Sequence, residues 1–150
     1  MNDINDLYQE LILDHNKRPR NRRRMGEAAR MAEGYNPLCG DRVTVYVEVE
    51  GDVVKDVSFE GSGCAISTAS ASLMSESLKG KTISEAVCLF EKFRGLVTGK
   101  ASENGEGPTL GKLEAFSGVG QFPARVKCAT LVWHTFNAAL QQKNETVSTE

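Results

Sequence analysis

Three cysteines and one aspartate carry the chemistry that this chain can do. Cys39 and Asp41 stand two residues apart across Gly40, in the run Asn36-Pro37-Leu38-Cys39-Gly40-Asp41. Cys64 ends the run Gly61-Ser62-Gly63-Cys64, and Cys128 follows much later. Three thiolates and a carboxylate make four ligands, the number that completes a tetrahedral zinc site. The same four suffice for a [2Fe–2S] cluster, in which each iron needs two terminal ligands. Counting ligands leaves both readings open. A zinc staple with no chemistry is a third reading. Against it, Cys39 sits on a glycine-flanked loop and the chain has no tight Cys-x-x-Cys knuckle. The same missing motif argues against a thiol–disulfide oxidoreductase.

The elements between these residues must bring them together. Val43, Val45, Val47 and Val49 alternate with Thr44, Tyr46, Glu48 and Glu50, the period of a half-buried strand. Gly51-Asp52 offers a two-residue turn, and Val53 to Phe59 a second strand. With Glu50 opposite Val53, Cys39 falls opposite Cys64 and Asp41 opposite Ser62. A bulge near Gly61 or Gly63 would shift this by one residue without separating the groups. Cys64 then opens a helix over Ala65–Lys79 that ends at Gly80. A thiol at a helix N-terminus is favoured as the thiolate, the form that binds metal or attacks sulfur. A last helix over Arg125–Gln142, with Ala129, Trp133, Phe136 and Leu140 as its core stripe, places Cys128 in its first turn or so. His134, six residues further on, is turned roughly 240° away along a helix and so reads as a packed or surface histidine rather than a ligand.

The remaining segments support this frame. Ile4, Leu7, Tyr8, Leu11 and Ile12 mark an amphipathic helix over residues 3–15. His15 continues its apolar face and reads as a histidine helped by the helix's negative end, with a direct role at the site as the second reading. Lys17–Arg24 holds six basic residues in eight. It is either a solvated linker or a docking patch for an acidic partner. Residues 27–35 read as a short edge strand. Thr82-Ile83-Ser84-Glu85 fits a capping box ahead of a helix over 83–97, with a break at Gly95. Cys88 beside that helix reads as a small filler. Residues 100–108 read as a loop, Thr109 as the cap of a short helix with Leu110, Leu113 and Phe116 on one side, and 118–123 as a second loop.

Composition bounds the class. The chain has 150 residues, 40% hydrophobic and 25% charged, with a net charge of −2. That is one domain's worth of an ordinary soluble protein. The charge argues against nucleic-acid binding, and the basic run lacks the interleaved aromatics that stack on bases. No apolar run approaches the ~20 residues of a membrane span, and the acidic N-terminus is not a signal peptide. The expected compartment is the cytoplasm, where four cysteines point to metal or catalysis rather than a disulfide frame. The fold expected is α+β: a small antiparallel sheet of about three strands against several helices, one domain over 1–143 and a disordered tail over 144–150.

Asn36–Asp41, Gly61-Ser62-Gly63-Cys64-Ala65-Ile66-Ser67 and Lys127-Cys128-Ala129 resemble the three cysteine motifs of the IscU/NifU-like iron–sulfur assembly proteins. Asp14-His15 with Pro19-Arg20-Asn21 resembles that family's first helix and following loop. Two features look like the SufU branch. Scaffold-type members carry a histidine immediately before the third cysteine, where this chain has Lys127. The stretch between Cys64 and Cys128 is also longer than in scaffold members, with the surplus around Arg94–Gln121. The resemblance implies a SufE/NifU-like fold and zinc held by Cys39, Asp41, Cys64 and Cys128. It implies a sulfurtransferase-like partner of a pyridoxal-phosphate cysteine desulfurase of the SufS type, with Cys39 leaving zinc on docking to accept persulfide sulfur for a downstream iron–sulfur scaffold. Arg125 has two readings, a charge stabiliser for the Cys39 persulfide or a helix-surface cation. The alternative function is an IscU-like scaffold that assembles a [2Fe–2S] cluster from iron and sulfur and transfers it.

Overall fold

A computed structural model of the chain describes residues 3–26, 29–37, 40–98, 109–142 and 147–148. The elements run α1 (Asp3–Lys17), β1 (Arg30–Asn36), β2 (Asp41–Glu50), β3 (Val53–Ser62), α2 (Ala65–Leu78), α3 (Ile83–Thr98), a 3-10 helix (Gly111–Gln121), α4 (Pro123–Leu140) and β4 (Val147–Ser148). The antiparallel strands β3, β2 and β1 form the expected sheet. β4 pairs with β1 in parallel at the opposite edge from β3. The sequence leads one to expect a disordered tail where Val147–Ser148 form this strand.

The hairpin pairs Glu50 with Val53, as its turn dictates, and then slips by one residue between Glu48 and Val49. The cause is visible in β3. Val54 and Val57 are both fully buried although three residues apart. Strict alternation would put them on opposite faces; the extra residue, Lys55, returns both to the core. Lys55 itself reaches solvent beside Glu48 and Glu50. The slip thus comes near the turn, not at Gly61 or Gly63, and Arg42 rather than Asp41 faces Ser62.

Helices cover one face of this sheet. α4 lies against β1 and β2, α2 against β3, and α1 against α2. α2 packs closely because its buried residues are small: Ser67, Ala69, Ser70, Ala71, Ser72 and Ser75. Each of the deeper serines keeps a partner, for instance Ser70 Oγ donating to the Ala129 carbonyl at 2.6 Å, since a buried hydroxyl left unpaired is costly. α3, the 3-10 helix and α4 meet around Trp133, which stacks on Phe93 at 4.7 Å and Phe90 at 6.0 Å. Buried Phe93 and Val97 carry α3 through Gly95 without the expected break. Its capping box forms: Glu85 N–H donates to Thr82 Oγ1 at 3.1 Å and Thr82 N–H to Glu85 Oε1 at 3.0 Å. The expected 118–123 loop is instead helical as far as Gln121, and the loop expected over 100–108 lies outside the described residues.

The open edge of β3 is guarded at both ends. Phe59 N–H donates to the Asn21 carbonyl at 3.1 Å, and Val54 N–H to the Lys81 carbonyl at 2.7 Å. Unpaired strand edges invite pairing with other chains. The basic run expected as linker or docking patch thus serves in part as an edge cover.

Candidate metal centre

β1 ends at Asn36 because Pro37 follows, and a residue before proline is held extended. The chain reverses at once: Gly40 N–H donates to the Asn36 carbonyl at 2.8 Å. Gly40 has φ of 74°, which glycine adopts at little cost. Asp41 then opens β2, fully buried, opposite Asn36. Residues 38–39 lie outside the described residues, so Cys39, the expected sulfur acceptor and first ligand, is placed only by its neighbours in sequence.

Across the sheet end, Cys64 caps α2. Its Sγ accepts the Ser67 N–H at 3.4 Å, the job usually done by a serine or aspartate oxygen. Its own N–H donates to Asp41 Oδ1 at 2.9 Å. Gly63 makes this approach feasible, since a Cβ there would stand 2.7 Å from Asp41 Oδ1. Cys64 is exposed and Cys128 is buried. α4 starts at Pro123, so Cys128 is its sixth residue, in the second turn rather than at the helix start that the sequence suggests. Pro123 extends the helix upstream because proline is favoured at the first helical position.

One ligand atom from each of Asp41, Cys64 and Cys128 lies within 4.8 Å of the other two. Among the described residues, Asp41 Oδ2 is buried with no hydrogen-bond partner. A buried carboxylate oxygen is normally satisfied, so an orphan on the carboxylate that converges with two thiols fits a cation. The donor set, sulfur and carboxylate, suits zinc. Asn36, not singled out by spacing beyond its place in the motif, is fully buried and directs its Nδ2 to Cys128 Sγ at 3.7 Å.

The sequence of residues 7–129 matches the family described as the NifU-like N terminal domain. The chain belongs to this family. It is 43% identical to the zinc-dependent sulfurtransferase SufU of Bacillus subtilis over 130 residues, 87% of this chain and 86% of that protein. It is 37% identical to the iron–sulfur cluster assembly scaffold protein IscU of Streptococcus pyogenes over 139 residues, 93% of this chain and 86% of that one. Among solved structures it superposes, with TM-score 0.79 and 39% identity, on a proposed iron–sulfur cluster assembly scaffold protein for the SUF system from Fervidobacterium islandicum AW-1, covering 87% of this chain and 94% of that one. The chain is thus a NifU-like iron–sulfur cluster assembly protein.

The other candidate residues of this NifU-like domain are positioned as follows. Arg125 is exposed in the first turn of α4, its guanidinium 5.8 Å from the centre of the Phe122 ring. Cys88 is half-buried in α3 and not among the converging three. His134 is half-buried and packs edge-on to Phe90 at 5.1 Å, the packed one of its two expected settings. His15 is fully buried, with Nδ1 2.6 Å from Ser72 Oγ and Nε2 3.6 Å from Glu76 Oε1. Burial, the first cause, and the nearby Arg20 hold its pKa below the usual imidazole value. In the basic run, Arg20 pairs with Asp14 and Arg23 with Asp56. Arg22 donates to the Gly61 carbonyl at 2.8 Å. Part of the run's charge is engaged within the chain, while Lys17, Arg18, Arg22, Arg23 and Arg24 are exposed. No helix among the described residues is long and apolar enough to cross a membrane.

Proposed function

We propose that this protein is a zinc-bound sulfur acceptor, taking persulfide sulfur from a cysteine desulfurase onto Cys39. The observation that carries the reading is the convergence of a carboxylate oxygen of the buried Asp41 with the thiols of Cys64 and Cys128, on a side chain whose Oδ2 is buried with no hydrogen-bond partner among the described residues. In this reading Cys39, Asp41, Cys64 and Cys128 hold zinc. The similarity to the zinc-dependent sulfurtransferase of Bacillus subtilis supports it. So does Lys127, which stands where the resemblance to scaffold-type members calls for histidine.

Bound zinc would keep its thiol ligands deprotonated at neutral pH. The chain's own residues do the rest. Asp41 fixes the Cys64 backbone and so the start of α2. Gly40, at positive φ, fixes the return of the chain just after Cys39. The Cys39 thiolate attacks the outer sulfur of the donor persulfide. The donor S–S bond breaks, a new S–S bond forms on Cys39, and the donor cysteine leaves as thiolate, so no outside oxidant or reductant is consumed. Arg125 is proposed to balance the charge of the new persulfide. The exposed cations Lys17 and Arg18 are proposed as part of the desulfurase-facing surface. Sulfur then passes to a downstream iron–sulfur scaffold.

The test is mass mapping of the protein after incubation with a cysteine desulfurase and cysteine. A +32 Da adduct on Cys39 supports the reading. Persulfide on another cysteine of the Cys39→Ala protein would oppose it. The similarity to the IscU scaffold of Streptococcus pyogenes favours a second reading, in which the same four groups build a [2Fe–2S] cluster for transfer. Visible absorption after reconstitution with iron and sulfide, stable without a second protein, would favour that reading.

A further inference from the structure

Asn36 touches the site through both its side chain and its backbone. It is fully buried at the end of β1. Its side-chain Nδ2 donates toward Cys128 Sγ at 3.7 Å, and its carbonyl accepts the Gly40 N–H at 2.8 Å, closing the turn that leads into Asp41. Pro37 holds it extended, so both contacts spring from a backbone with little freedom. Cys128 lies in the second turn of α4, away from the helix end whose dipole would favour a thiolate. A donor aimed at its sulfur therefore has to come from elsewhere, and Asn36 supplies one from the sheet.

We infer that Asn36 is a positioning residue of the metal centre: its side-chain N–H orients the Cys128 thiolate as a ligand, while its carbonyl sets the turn that presents Asp41 from the other side. The inference rests on the reading of Asp41, Cys64 and Cys128 as ligands. Hydrogen bonds to a ligand atom from outside the ligand set orient it and tune its donor strength, and losing one costs 10–100-fold in metal affinity. A hydrogen bond also draws electron density from a thiolate, so its loss should move the thiolate-to-metal charge-transfer band to lower energy. A residue that merely packed would leave that band where it is.

The experiment uses the full chain loaded with zinc or cobalt(II), comparing wild type with Asn36→Asp and Asn36→Leu. Asn36→Asp keeps the shape and loses the donors; Asn36→Leu keeps the approximate volume and loses all polarity. The expected result is a loss of about tenfold or more in zinc affinity by chelator competition in both variants. The cobalt charge-transfer band should shift to longer wavelength, with far-UV circular dichroism unchanged. Wild-type affinity and an unmoved band in a folded variant would overturn the inference. Cadmium-113-loaded wild type gives a measurement that no folding defect can cloud. The Asn36 side-chain amide proton should show a scalar coupling to the metal through Cys128 sulfur. A coupled Cys128 without a coupled Asn36 would also overturn it. A wild-type protein with no thiolate–metal band at all would overturn the metal reading itself, and this inference with it.

Discussion

Asp41 accepts the Cys64 N–H through Oδ1 at 2.9 Å and leaves Oδ2, also buried, without a hydrogen-bond partner among the described residues. One oxygen holds the backbone of a cysteine, and the other is free for whatever the cysteines bind. The sheet end and the start of α2 are thus joined by the same carboxylate that faces the two sulfurs. Asp41→Asn keeps the shape but replaces the charge with an amide. Zinc affinity is expected to fall at least about tenfold, read by competition with a chromophoric chelator. Affinity equal to wild type would remove Asp41 from the ligand set.

Gly63 is the residue that lets Asp41 come so close. A Cβ at this position would stand 2.7 Å from Asp41 Oδ1 and 3.1 Å from Ser67 Oγ. Forcing a methyl group into such a contact costs about 1–3 kcal/mol. Gly63→Ala is therefore expected to lower the urea midpoint of the metal-free protein by that equivalent, and to weaken zinc binding as the carboxylate is pushed aside. An alanine variant with wild-type midpoint and affinity would show that the loop yields without cost.

Much of this site was legible from spacing. The alternation of Val43, Val45 and Val47 and the Gly51-Asp52 turn predict the hairpin, and the hairpin brings Asp41 to Cys64. The capping box at Thr82 and Glu85 is a short-range pattern and formed as written. What escaped were consequences of packing. The slip at Lys55 follows from burying both Val54 and Val57, which no local pattern states. The start of α4 at Pro123 moved Cys128 one turn inward. Asn36 stands in sequence only as the first residue of the Asn36–Asp41 run; the packing of α4 against β1 makes it a partner of Cys128. The Lys17–Arg24 run reads as free charge, yet Arg20 and Arg23 are held by Asp14 and Asp56, which lie on different elements.

The buried His15 makes stability depend on pH. Its pKa is held below the usual 6.5, first by burial and then by the nearby Arg20 and Lys112, against the opposite pull of Glu76 and Asp14. The unfolded chain takes up a proton as pH falls through about 6.5, and the folded chain resists it. Unfolding then binds protons, so stability falls as pH drops below that value. His134 shifts in the same direction through burial. Denaturant midpoints of the metal-free protein are expected to decline from pH 7 to pH 5.5. The decline should be shallower in His15→Gln, at some cost in absolute stability from the disturbed Ser72 contact. Equal slopes in the two proteins would show that His15 is not the group responsible.

The proposed function has Cys39 accept sulfur from a desulfurase while Asp41, Cys64 and Cys128 hold zinc. The most direct measurement is alanine release by a SufS-type cysteine desulfurase with this protein added, zinc-loaded or zinc-stripped, beside the zinc-loaded Cys39→Ala variant. Strong stimulation by the zinc-loaded wild type alone is expected. Little stimulation by any form, with cluster assembly once iron is supplied, would contradict it and establish the scaffold reading.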